Sequence, residues 1–107
     1  MKDSPTNIFE KIKLPLGDRE TFESLLKTDS LHVERIISNG QKSDKWYDSS
    51  ANEWVVLLQG KASLEYENGS CVHLKKGDFV FIPARKKHRV NYTSQHPHCI
   101  WLAIHFA

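Results

Sequence analysis

From residue 31 onward the polar and apolar positions of the chain follow a two-residue period. The segments LHVERII, EWVVLLQ, KASLEYE, CVHLK, FVFIP, HRVNYT and HCIWLAIHF are short, rich in β-branched and aromatic residues, and parted by Gly, Asn, Ser, Asp or Lys turns. That pattern predicts strands of an all-β barrel or sandwich. Only Gly60 separates EWVVLLQ from KASLEYE, and Asn68-Gly69 is the strongest short turn signal in the chain. Before residue 31 the signals differ. Ile12, Leu14 and Leu16 alternate along an extended arm that stops at Gly17. In DRETFESLLKT, Asp18 can cap a helix, and Phe22, Leu25 and Leu26 fall at helical spacing, which predicts one short helix near residues 18–27. Residues 1–30 therefore form an arm with a helix, residues 31–107 a barrel, and the whole a single domain.

Alternation also assigns faces, because successive strand side chains point to opposite sides. With His88 inward, Val90 and Tyr92 follow it, while Arg89 and Asn91 face out. Ala62, Leu64 and Tyr66 form the inner set of their strand. The most apolar set of LHVERII is Leu31, Val33 and Ile37, which carries Arg35 to the same face. Glu53 shares a face with Val55 and Leu57, and the last strand groups Cys99, Trp101, Ala103 and His105.

Composition narrows the partners. A chain of 107 residues has room for one core, and its 39% hydrophobic and 26% charged residues are ordinary for a globular domain. No apolar run nears the ~20 residues of a membrane span, and the N-terminus lacks a secretory pattern, so the expectation is a cytoplasmic protein without membrane association. Cys71 and Cys99 read as reduced thiols in that compartment. The net charge of +2 implies no polyanionic partner. The cluster Arg85, Lys86, Lys87 and Arg89 lacks interleaved aromatics, so it reads as a solvated loop, and no nucleic-acid partner is expected.

The spacing of particular residues resembles the cupin family of small β-barrels. The family's second motif runs Gly, five residues, Pro, any residue, Gly, two residues, His, three residues, Asn. Gly77, Pro83 and His88 match it, with Arg85 at the inner glycine and Tyr92 at the asparagine. In the first motif Gly40, Glu53 and Gly60 match, whereas Trp46 and Asp48 occupy the two histidine positions. The stretch from Lys61 to Lys76 fits the short hairpin between the motifs. The resemblance covers roughly residues 31–106 and implies a small antiparallel jelly-roll barrel.

In metal-binding cupins the two first-motif histidines, the glutamate and the second-motif histidine converge inside the barrel. Glu53 and His88 are the two of these that stand here, which leaves three readings. In the first, Asp48, Glu53 and His88 hold a divalent metal. In the second, a metal-free pocket takes a small anionic or sugar-like ligand, with His88 and Glu53 as catalytic groups and Arg35, Trp46, Tyr47, Tyr92, Trp101 and His105 as binding residues. In the third, the barrel is an inert dimeric or regulatory module. The cofactor is accordingly none or a weakly held Mn, Fe, Ni or Zn ion, and the expected partners are a small-molecule ligand and a second copy of the chain, in a homodimer.

Overall fold

The computed structural model describes residues 4–107. Eight strands follow one another: β1 (Thr21–Lys27), β2 (Leu31–Ser38), β3 (Asn52–Gln59), β4 (Lys61–Tyr66), β5 (Cys71–Lys75), β6 (Phe79–Ile82), β7 (His88–Thr93) and β8 (Cys99–Phe106). They form a five-stranded sheet in the order β1-β2-β8-β3-β6 and a three-stranded sheet in the order β5-β4-β7, and every pairing is antiparallel. Between the sheets lies a core that includes Val55, Leu57, Leu64, Leu74, Val90 and Trp101. The expected antiparallel barrel is therefore present, and the seven segments read from residue 31 onward are its strands β2–β8.

The expected helix is not. Residues 21–27 are strand β1, an edge strand paired with β2 from Thr21↔Ile37 to Lys27↔His32, and the described residues contain no helix. A register shift between Ser24 and Leu26 leaves Leu25 without a partner on β2. The extra residue breaks the two-residue period. Phe22, Leu25 and Leu26 thereby acquire a spacing that imitates a helical face. No helix among the described residues is long and apolar enough to cross a membrane.

The arm also differs from expectation. Residues 1–3 of it lie outside the described residues. From residue 4 to 20 the chain bends at Ile8–Lys11 and Gly17–Arg19 instead of running extended. Arg35 holds it there. The guanidinium donates to the carbonyls of Ile8 at 2.9 Å, Glu10 at 2.8 Å and Lys11 at 3.3 Å. It also grips both carboxylate oxygens of Glu23, its register partner on β1, at 3.0 and 2.7 Å. Arg35 is thus only 6% exposed yet fully satisfied. Buried ionic groups persist when hydrogen bonds replace the lost water, as they do here.

Tight connections set the strand ends. Gly60 alone joins β3 to β4 with φ +93°, and a Cβ there would lie 2.8 Å from Cys99 Sγ and 2.9 Å from Ser94 Oγ. Arg85, at the family's inner-glycine position, has φ 67°. The backbone therefore keeps the left-handed turn even though the residue is not glycine.

Candidate functional site

A small cavity opens between the sheets. Its volume is about 130 Å³, below the roughly 300–1,000 Å³ of drug-sized pockets. Ile36, Val55, Leu64, Ile82, Val90 and Trp101 supply apolar wall, and Glu20, Glu34, Glu53, His88 and His105 converge on it with Tyr47 and Ser49. Three carboxylates and two imidazoles face one space.

His88 and Glu53 meet across that space. His88 sits at the start of β7, and Glu53 near the start of β3 faces it from the other sheet. His88 Nε2 is 3.6 Å from Glu53 Oε1, a charge contact longer than a hydrogen bond. The other ring nitrogen, Nδ1, is 3.0 Å from the Lys86 carbonyl. A carbonyl only accepts, so Nδ1 carries a proton and a neutral ring would aim the Nε2 lone pair at the Glu53 carboxylate. Burial pulls the His88 pKa down, but the Glu53 carboxylate and the Lys86 carbonyl outweigh it and leave the value raised above 6.5.

A second carboxylate–imidazole pair lies along β2 and β8. Glu34 Oε1 accepts from His105 Nε2 at 2.8 Å. Glu53 and His105 are register partners on β3 and β8, so the two pairs share one wall. Glu34 had no signal in the apolar pattern. β2 turns Glu34 and Ile36 toward the cavity, while Val33, Arg35 and Ile37 lie on its other face, reversing the expected assignment. The reason is that the outer face of β2 is covered too, with Ile37 and Arg35 buried there and Arg35 bonded to residues 8–11, so an apolar set does not mark which face meets the cavity.

Glu20 is the third carboxylate and comes from the segment before β1. It takes a hydrogen bond from Ser38 Oγ, and Ser38 Oγ accepts from Trp101 Nε1 at 3.0 Å. Burial, opposed by the Ser38 bond and reinforced by the Glu53 charge, pushes the Glu20 pKa up from 4.5 to about 7. Hidden inside the expected helix, it was missed by the strand-face reading.

The remaining expected site residues divide. Tyr47, Trp101 and His105 line the cavity. Tyr47 pairs with His88 in an isolated bridge, with N–H to carbonyl contacts of 2.7 and 3.2 Å, and residues paired in this way present their side chains to the same side. Its neighbours Trp46 and Asp48 consequently point the other way. The Trp46 ring lies 4.3 Å from the Arg89 guanidinium carbon, and Asp48 Oδ1 is 3.5 Å from Arg85 Nη1. Tyr92 is 51% exposed, because a shift between Ser63 and Leu64 leaves Asn91 unpaired and turns Tyr92 outward. Arg35 is committed to the N-terminal segment.

The donor set does not fit the proposed three-residue metal site. With Asp48 paired to Arg85, Glu53 and His88 remain of that set, and among the described residues no group of three His, Cys, Asp or Glu side chains is placed to hold an ion. A resident divalent metal normally takes at least three protein ligands.

Comparison with known proteins agrees with this architecture. The Cupin domain family model matches residues 33–105. No curated protein matches the sequence. A solved structure from Ralstonia eutropha JMP134, named a "putative mannose-6-phosphate isomerase", is 37% identical, covers 96% of this chain and 97% of its own, and superposes with a TM-score of 0.87. A cupin superfamily protein from Desulfitobacterium hafniense DCB-2 is 16% identical over 99% of this chain and 93% of its own, with a TM-score of 0.80. A double-stranded β-helix protein from Klebsiella pneumoniae is 18% identical over 98% and 90%, with a TM-score of 0.81. The last two share the fold.

Proposed function

The chain belongs to the cupin domain family, and from that premise we propose that its cavity binds a small, uncharged, hydroxylated ligand of sugar-like type and exchanges protons with it through Glu53 and His88. The observation that carries this reading is the convergence of Glu20, Glu34, Glu53, His88 and His105 on one small, otherwise apolar cavity. Hydroxyl groups can donate to the carboxylates and accept from the imidazoles. A carboxylate or phosphate placed inside would face three acidic side chains and no Lys or Arg. An anionic end is better accommodated outside. The cavity shares Glu20, Phe22 and Tyr47 with a surface groove that carries Arg19, Lys42 and Lys45.

The name of the Ralstonia eutropha neighbour supports a hydroxy-carbonyl substrate. Isomerising such a compound requires a group that removes a carbon-bound proton and returns it to the adjacent carbon. Glu53 with His88 beside it is suited to that exchange, since the carboxylate can accept a proton and the adjacent imidazole, its pKa raised above 6.5, can hold or pass one near neutral pH.

Thermal unfolding with dihydroxyacetone, glycerol, mannose, fructose, lactate and phosphate tests the binding reading. An uncharged ligand at about 100 times its dissociation constant stabilises by roughly 2.7 kcal/mol, and this gain should vanish in His88→Ala. Stabilisation by lactate or phosphate alone, or by none of the six, would sink it.

A further inference from the structure

The hydrogen bonds that end on Glu20 have a direction. An indole N–H can only donate, so Ser38 Oγ accepts from Trp101 Nε1, and since Glu20 Oε2 is the only acceptor within reach of the Ser38 hydroxyl among the described residues, its proton points there. Oε2 is thereby an acceptor. A proton carried by this carboxyl must sit on Oε1, which has no hydrogen-bond partner among the described residues and belongs to a side chain lining the cavity. We propose that Glu20 is the acid of the site, donating through Oε1 to an oxygen of a ligand held against Glu53 and His88.

This rests on the hydroxy-carbonyl reading above and adds the second partner that such chemistry requires. As the Glu53–His88 pair takes the proton from the carbon next to the carbonyl, the Glu20 O–H bond breaks and a new O–H bond forms on the carbonyl oxygen, giving an enediol. The pair then returns its proton to the former carbonyl carbon. Glu20 recovers a proton from the neighbouring hydroxyl as the new carbonyl forms, so nothing is oxidised or consumed overall. The groups around Glu20 favour a protonated carboxyl. Burial is the chief cause, opposed by the Ser38 bond and reinforced by the Glu53 charge on β3, and Glu34 on β2 lines the same cavity. His88 on β7 and His105 on β8 are each engaged by another carboxylate, while Tyr47 and Arg19 flank the mouth.

The test is deuterium exchange into the carbon-bound hydrogens of dihydroxyacetone and fructose, followed by proton NMR across pH 5–9. Full-length wild type, Glu20→Gln and Glu53→Gln are compared, with the Glu20 carboxyl read separately by carbon NMR. Glu20→Gln keeps an acceptor for Ser38 but has no acidic proton. It should slow exchange by about tenfold or more and remove the decline in rate above about pH 7, whereas Glu53→Gln should lose exchange at every pH. Wild-type exchange left intact by Glu20→Gln would overturn the role of Glu20 and spare the hydroxy-carbonyl reading. A Glu20 carboxyl titrating in the ordinary carboxylate range would also overturn it. No wild-type exchange on either probe, with the Glu20 resonance unmoved by both, would overturn the hydroxy-carbonyl reading and the role together.

Discussion

His88 faces Glu53 with Nε2 at 3.6 Å from Oε1 and is held from behind by the Lys86 carbonyl on Nδ1. The arrangement stabilises the imidazolium, and its loss should be readable in solution. Glu53→Gln removes the charge but keeps the shape, so the His88 pKa should fall from its raised value. Because the folded value lies above 6.5, the stabilisation from this pair is complete below 6.5 and is lost as pH rises through the raised value. Histidine NMR titration of both proteins checks the first statement, and denaturant unfolding at pH 5.5 and 9 checks the second. A His88 pKa unchanged in Glu53→Gln would show that the contact does not matter.

Glu20 should penalise the fold as it ionises. Its folded pKa of about 7 exceeds the ordinary 4.5, so the native state binds a proton that the unfolded chain releases. Stability therefore declines as pH rises from 4.5 through 7. The neutral Glu20→Gln variant escapes that decline and should exceed wild type by roughly 3 kcal/mol at pH 8 while matching it more closely at pH 4.5. Parallel urea unfolding curves measure this, and a difference independent of pH would contradict it.

Arg35 ties residues 8–11 and Glu23 to β2. Arg35→Ala strips hydrogen bonds from three carbonyls at once, with an expected loss of about 3 kcal/mol. Amide exchange should accelerate first in residues 4–20, and the cavity should lose its Glu20 wall. Uniform acceleration across all eight strands, without priority for the segment, would refute the latch.

Gly60→Ala should be among the most damaging single-methyl changes in the chain. The new Cβ meets Cys99 Sγ and Ser94 Oγ below 3.0 Å and sits at a positive φ, so roughly 2–4 kcal/mol is expected. Arg85→Gly should do the reverse. It relieves a left-handed residue at φ 67° and should gain about 1 kcal/mol net of glycine's extra unfolded-state freedom. Melting temperatures of the two variants in one buffer decide both.

Much of the barrel was legible because strands β2–β8 keep turn residues between short apolar runs. At two bulges the legibility ends. Leu25 on β1 and Asn91 on β7 each add a residue that their partner strand does not match, and the first produced a false helix while the second turned Tyr92 outward. The site was half visible. Glu53 and His88 were found from spacing and alternation, and Tyr47, Trp101 and His105 do line the cavity. Glu34 was hidden because β2 is covered on both faces, so the apolar set could not reveal which face met the cavity. Glu20 was hidden because it falls inside the false helix and, in the structure, immediately precedes β1, where no strand alternation assigns it a face. Trp46 and Asp48 were placed by motif position, and the Tyr47–His88 bridge decides their direction.

The Glu20 side chain also separates what encloses the cavity from what equips it. The stretch matched by the family model begins at residue 33, whereas Glu20 arrives on a stretch that precedes it and is clasped by one arginine. A barrel built this way works like a lock whose last ward is mounted on the door frame. Exchanging a dozen residues ahead of the first strand could change which ligands are admitted, or which proton is on offer, while every sheet register stayed as it is.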